Sequence, residues 1–185
     1  HHLPSAYYTN CRSLNDQKLD DPKQYTPRYD SDMVFLTETW FTKAREENSA
    51  IRGYNLYTAN RQNRIGGGVA IYIRSCIIVK VLERHMSPTV SAIWLLLSYP
   101  KMPKMIVGCF YHPPSTDKSS SLRYLEETLC KLMSKHKNAK ILLVGDFNRI
   151  PLDFFCKQFN MKCCVDFCTR GNAILDQIVT DLYQY

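Results

Sequence analysis

Apolar residues fall in short runs separated by polar turns, many of which carry Gly, Pro or Asn. Runs of this kind read as strands. They predict strands at Ala6–Thr9, Met33–Thr37, Tyr54–Thr58, Val69–Ile73, Ile77–Leu82, Val90–Ser98, Met105–Tyr111, Ile141–Val144 and Ile174–Val179. The densest run, Val90 to Tyr99 around Ile93, Trp94, Leu95, Leu96 and Leu97, is about half of the roughly twenty residues that cross a bilayer. It predicts a buried strand, and no membrane partner is expected. Gly66-Gly67-Gly68 follows a polar turn, Asn60 to Arg64, and leads into a strand. No helix signal follows it, so it is neither a dinucleotide fingerprint nor a phosphate-binding loop. A hairpin joining Tyr54–Thr58 to Val69–Ile73 explains these glycines better.

Helical periodicity is rarer. Leu122, Leu125, Leu129, Leu132 and Met133 share one face over Ser119 to Lys137, with Ser and Thr residues near the start. A second helix is expected from about Leu152 to Asn160, after Pro151. Asn15 to Tyr25 has a helical charge pattern, but Pro22 interrupts it. A proline inside a helix costs about 3 kcal/mol or more, so a break or a fresh helix start is expected there. Many strands with a few interspersed helices point to an α/β sandwich. The 185 residues suit one domain, 1–185, and are too few for two ordinary ones.

Composition changes this picture little: 45% hydrophobic and 22% charged residues are ordinary for a globular chain. The formal net charge of +7 is spread over Arg61, Arg64, Lys101, Lys104, Lys131 to Lys140, Lys157, Lys162 and Arg170. Such a surface favours a polyanion, because neutralised phosphates release counterions, although a lysine-rich helix face is also ordinary. The start, His1-His2-Leu3-Pro4, has no signal-peptide pattern. It also lacks a Met, so the chain is expected to begin inside a longer reading frame or after a tag. The eight cysteines are therefore expected to be reduced and buried. Cys156, Cys163, Cys164 and Cys168 lack the paired knuckles and the His of a zinc site.

Chemistry-bearing residues gather where strands end. Asn10, Glu38, Tyr111, the Asp146/Asn148 pair and Asp176 each stand at the end or edge of a different expected strand. Polar groups where strands meet loops are the usual makeup of a site on a rigid scaffold. Each also has an ordinary structural reading: Asn10 and Asn148 as turn formers, Glu38 as a helix cap, Tyr111 as packing.

Their order adds more. Asn10, Thr37-Glu38-Thr39-Trp40, Gly66-Gly67-Gly68-Val69-Ala70-Ile71-Tyr72, Tyr111-His112-Pro113-Pro114, Leu143-Val144-Gly145-Asp146-Phe147-Asn148, Thr169-Arg170-Gly171 and Leu175-Asp176 follow one another from about Tyr7 to Asp181. This series resembles the endonuclease/exonuclease/phosphatase superfamily, and within it the endonuclease domains of non-LTR retrotransposons. The resemblance implies a four-layer α/β sandwich of two mixed β-sheets flanked by helices. It also implies a metal-dependent DNA endonuclease that nicks one strand and leaves a 3′-hydroxyl. That end would prime synthesis by a reverse transcriptase domain further along the parent protein, with a nuclear location.

Residue by residue, the resemblance makes Glu38 the ligand of Mg²⁺, or of Mn²⁺ in its place. A hard carboxylate suits that ion. Asn10 becomes its neighbour and orients the ion or Glu38. Asp146 positions or deprotonates the attacking water. Asn148 and Tyr111 hydrogen-bond the phosphate as charge builds. Asp176 matches the carboxylate that fixes a catalytic imidazole, and Thr169 and Arg170 lie along the DNA backbone.

The pattern is incomplete. The family's catalytic His sits in a Ser-Asp-His segment on a final strand, and no such segment occurs in these residues. The chain is thus expected to stop before its last strand or strands and its catalytic His. His112 adjoins Tyr111, but strand alternation sends it to the opposite face. Arg12 and Pro114 stand where better-known nucleases of the superfamily carry a carboxylate and an amide. Two other readings therefore stay open: an inactive retroelement remnant that binds DNA, and a phosphatase or phospholipid-type hydrolase on the same scaffold.

Overall fold

Burial on both faces explains why several strands lack alternation. The computed structural model describes residues 4–12, 31–60 and 66–182. The segment Asn15 to Tyr25, with its expected helix break, lies outside the described residues, as do Arg61 and Arg64. In chain order the elements are β1 (Ala6–Asn10), β2 (Met33–Thr37), α1 (Lys43–Asn48), β3 (Tyr54–Ala59), β4 (Val69–Arg74), β5 (Ile78–Met86), β6 (Ser91–Ser98), β7 (Met105–Tyr111), α2 (Lys118–Lys135), β8 (Lys140–Asp146), α3 (Asp153–Gln158), β9 (Lys162–Cys163) and β10 (Asp176–Thr180). They form a four-stranded sheet, β1-β2-β4-β3, and a six-stranded sheet, β5-β6-β7-β8-β10-β9. Both are mixed: β1 runs parallel to β2 and β7 to β8, and the other neighbours are antiparallel.

Three apolar cores separate four layers. Between the sheets lie Phe35, Val69, Ile71, Ile93, Leu95, Val107 and Val144. Outside the six-stranded sheet, Trp94, Phe110 and Leu143 pack on Leu125, Leu129 and Leu132 of α2 and on Phe155 of α3. Outside the four-stranded sheet, Val34, Leu36 and Tyr72 meet Phe41 and Ile51, which flank α1. β7 is buried at every position and β6 at all but its last, as expected for strands covered on both faces. α2 carries its apolar stripe at helical spacing, and the carboxylate of Asp117 caps its first turn by accepting from Ser119 N and Ser120 N. Leu129 is fully buried in that stripe. Leu129→Ala is expected to cost about 2–5 kcal/mol, read as a lower midpoint in urea unfolding with an unchanged slope.

Each expected strand is present, and β3 and β4 form the antiparallel pair predicted on either side of the glycines. Some bounds move. β5 continues to Met86 across a register shift between Val81 and Glu83, and Ile174 and Leu175 precede β10 rather than belonging to it. The two predicted helices are somewhat shorter than expected. α1 and β9 were not predicted. α1 has no buried residue, so no apolar stripe marks it, and β9 is two residues long. The cysteines correct one expectation. All eight are free, but Cys76, Cys130, Cys163, Cys164 and Cys168 are exposed, and only Cys109 and Cys156 are buried. Cys130 lies on the exposed face of α2, and short strands and connections put the others at the surface where a local apolar count suggests core.

Candidate active site

Residues opposite one another on neighbouring strands present their side chains to the same face. In the six-stranded sheet the register aligns Ser91, Tyr111, Asp146 and Asp176 in one row. In the four-stranded sheet it aligns Asn10, Thr37 and Val69. Stepping two residues back from Asn10, Thr37 and Asp146, or two on from Asp176, reaches Tyr8, Phe35, Val144 and Ile178, all within or against the core between the sheets. Both rows therefore face inward at the same end of the sandwich, where carboxylates, an amide and hydroxyls replace aliphatic packing.

Asn10 ties the two sheets together. Its Nδ2 donates to Glu38 Oε1 and to Asp146 Oδ2, each at 2.8 Å, using both amide hydrogens. Its Oδ1 accepts from Arg12 N at 3.2 Å. Glu38 follows directly after β2 in a left-handed conformation, φ 53°, and Trp40 stands at φ 51°. The backbone N–H groups of Thr39 and Trp40 donate to Gly68 O and Gly67 O. Gly68 has φ +84°, and a Cβ there would stand 2.8 Å from Thr39 Oγ1, so the glycine run fixes where Glu38 points. Arg12, Asn148 and Arg149 also have positive φ. Strained backbone of this kind persists where the surroundings over-determine it, and it concentrates at functional sites. Glu38 is not a helix cap, since Thr42 caps α1.

Asp146 is fully buried. Besides Asn10, its Oδ1 accepts from Asn148 N at 3.2 Å, and Arg170 Nη2 lies 3.4 Å from Oδ2. Burial, together with the negative charges of Asp176 and Glu38, pushes its carboxyl up to about 7, against the opposing pull of Arg170. A carboxylate poised near neutrality can accept a proton from water. Asp176 Oδ1 accepts from Tyr8 Oη at 2.5 Å, and the same hydroxyl lies 3.0 Å from Thr37 Oγ1. Burial and the nearby Asp176 raise the Tyr8 phenol well above its ordinary value, so it is a lasting donor.

Other expected residues arrive with duties of their own. Asn148 Nδ2 donates to His112 O at 2.7 Å, leaving one amide hydrogen for a ligand. Thr169 Oγ1 accepts from Leu175 N and Asp176 N, so it shapes the start of β10, and Arg170 beside it carries the positive charge. Tyr111 stands in the inward row, whereas His112 faces away, its Nδ1 against Thr89 O and Ser121 Oγ. From sequence, Tyr8 has no expected place in the site and Thr37 no role beyond opening the Thr37-Glu38-Thr39-Trp40 motif, although Tyr8 sits two positions before Asn10 and so must share its face. A cleft of about 620 Å³ opens beside Asn10 and Asp176, lined also by Tyr8, Arg12, Thr169 and Arg170; Glu38, Tyr111, Asp146 and Asn148 do not line it.

Among the described residues no group of three or more His, Cys, Asp or Glu side chains is placed to enclose a metal ion. Mg²⁺ does not need such a cage, because it keeps several waters and takes one or two carboxylates. Glu38 Oε2, which accepts no hydrogen bond among the described residues, and the hard oxygens around Asn10 and Asp146 fit that requirement.

Comparison with known proteins follows the same lines. A family described as Endonuclease/Exonuclease/phosphatase matches residues 9–162. No curated protein matches the sequence. Similar solved structures include a mannosyl-6-phosphatase of Bacteroides thetaiotaomicron, 14% identical with a TM-score of 0.75, covering 96% of this chain and 85% of that one. The endonuclease domain of TRAS1, a telomere-specific non-LTR retrotransposon, is 12% identical with a TM-score of 0.73, covering 95% and 83%. TDP2 of D. rerio, complexed with a single-strand DNA product, is 14% identical with a TM-score of 0.65, covering 96% and 83%. At these identities the likeness is one of fold.

Proposed function

From the premise that this chain belongs to the Endonuclease/Exonuclease/phosphatase family, a superfamily of hydrolases, we propose that it is the DNA endonuclease domain of a non-LTR retrotransposon. In this reading it hydrolyses a phosphodiester with Mg²⁺ and leaves a 3′-hydroxyl for the parent protein's reverse transcriptase domain, in the nucleus. The observation that carries it is the Glu38–Asn10–Asp146 bridge between the two sheets, with Arg170 beside it. The formal charge of +7 favours a nucleic-acid substrate over a small phosphate ester.

Each role follows from position. Glu38, oriented by Asn10, would hold the divalent ion; when bound, the ion supplies positive charge to the phosphate oxygens and the leaving oxygen. Asp146 accepts the proton of the attacking water. The remaining amide hydrogen of Asn148 and the hydroxyl of Tyr111 donate to the phosphate as its charge grows. Arg170 exchanges Asp146 for a backbone phosphate, which frees the carboxylate as substrate arrives. Thr169 and Tyr8 hold Asp176 in place. Arg170→Gln is expected to weaken DNA binding at every sequence and to reduce the salt slope of log K by about 1, measured by fluorescence anisotropy over a salt series.

A second reading, a DNA-binding remnant without turnover, is favoured by the commitment of Asp176 to the Tyr8 hydroxyl. Supercoiled plasmid with Mg²⁺ separates the readings. Open-circular product that a polymerase extends without phosphatase treatment supports the endonuclease. Binding without nicking supports the remnant, and phosphate release from a small monoester without nicking supports a phosphatase.

A further inference from the structure

Two thiols outside the site stand together. Cys156 belongs to α3 and Cys163 to β9, and their Sγ atoms are 3.4 Å apart. Cys156 is 8% exposed and Cys163 is exposed. The connection between them is short and held by its backbone: Met161 N donates to Cys156 O, and Cys164 N donates to Ile178 O, each at 2.8 Å. A disulfide requires sulfurs about 2.05 Å apart, so side-chain rotation over little more than an ångström closes the gap. The pair is also chemically unequal. Either sulfur can donate in this contact; with the buried Cys156 thiol as donor, the Cys163 thiol is lowered below its ordinary value and Cys156 is raised. An accessible sulfur with thiolate character beside a resolving thiol is the arrangement of oxidation-sensitive cysteines.

We propose that Cys156 and Cys163 form a redox-active dithiol, which a peroxide oxidant closes to an intramolecular disulfide at the edge of the six-stranded sheet. The Cys163 thiolate attacks one peroxide oxygen, breaking the O–O bond to give a sulfenic acid and hydroxide. The Cys156 thiol then attacks the sulfenic sulfur, forming the S–S bond and releasing the hydroxyl as water. Counting the proton first lost by Cys163, two thiols and one hydrogen peroxide yield one disulfide and two waters. Cys163 pairs with Val179 of β10, and the loop from Cys163 to Asp176 carries Thr169 and Arg170. The disulfide therefore pins the near end of that loop to α3.

The test treats the whole reduced chain with hydrogen peroxide, blocks remaining thiols by alkylation, and reads intact mass and a non-reducing peptide map. The expected result is two fewer alkyl groups than the untreated chain carries together with loss of the two thiol hydrogens, a single Cys156–Cys163 link, and reversal by dithiothreitol. Cys163→Ser abolishes the link and Cys164→Ser retains it. A link between Cys163 and Cys164, a link to any other thiol, or oxygen addition at Cys163 without a link would overturn the proposal. The wild-type map assigns the bond directly, so a variant that fails to fold leaves the test intact.

Discussion

Replacing Asp146 by Asn is expected to slow DNA nicking by about 10²–10⁴-fold and to flatten the fall in stability of the metal-free protein towards neutral pH. Both effects come from one location. Asp146 is fully buried, is bridged by Asn10 to Glu38, and lies in one row with Asp176. Burial and those two charges disfavour its ionised form, and its carboxyl is pushed from 3.8 up to about 7. A group whose folded value is raised contributes stability that is present below its unfolded value and lost as pH rises through the folded one. Between pH 3.8 and about 7 the unfolded chain gives up this proton while the folded chain keeps it, and stability falls across that window. Asn carries no such charge and removes the repulsion, but its single acceptor can serve only one of the two sides that Asp146 serves, Asn148 N or the Asn10 and Arg170 donors. Urea unfolding in EDTA between pH 4 and 8 is expected to show a decline for the wild type that is smaller in Asp146→Asn. An equal decline in both would contradict the placement of Asp146, and unchanged nicking by the variant would remove its role as the base.

Gly145→Ala is expected to destabilise the fold by about 3 kcal/mol or more, although the change adds one methyl group. A Cβ at Gly145 would lie 1.8 Å from Phe110 O, a backbone atom of the neighbouring strand. β7 and β8 are parallel neighbours with Phe110 opposite Gly145 and Tyr111 opposite Asp146. The clash thus falls one residue from two members of the inward row. Phe110 cannot retreat, because it is fully buried and stacked on Phe147 at 5.0 Å. For a chain of this size about 3 kcal/mol corresponds to roughly 6–12 °C in Tm, read by calorimetry. A variant melting within a degree or two of the wild type would mean that the two strands are not in this register.

Much of this was legible before any coordinates, for identifiable reasons. Strands such as β2, β7 and β8 are short apolar runs ending in a polar residue, and the same feature marks both the element and the site. The bringing together of Asn10, Glu38, Asp146 and Asp176 is a different matter. It depends on register and on which strands become neighbours, and only the ordered motifs pointed to it. What escaped the sequence lacked a periodic signal. α1 buries nothing and is fixed by its Thr42 cap and by Glu46, which accepts from Thr58 Oγ1 and Asn60 Nδ2. Tyr8 reads as one more apolar residue of β1 until its hydroxyl is seen on Asp176. Thr169 reads as a backbone-contacting residue until its hydroxyl is seen accepting from the two N–H groups at the head of β10. The exposed cysteines escaped because exposure is set by edges, turns and, for Cys130, the outer face of α2, which residue type alone does not fix.

The most direct test of a metal-assisted phosphodiester site at this end of the sandwich is a Mg²⁺ titration of plasmid nicking by wild type and Glu38→Gln. Glu38 Oε1 accepts from Asn10 Nδ2, so Gln keeps the hydrogen bond and removes the charge. The result predicted is nicking by the wild type that EDTA abolishes, with half-activation by Mg²⁺ displaced at least about tenfold upward in Glu38→Gln, the order of effect seen when a metal site is weakened. Equal Mg²⁺ dependence in the two proteins, or nicking that survives EDTA, would contradict it.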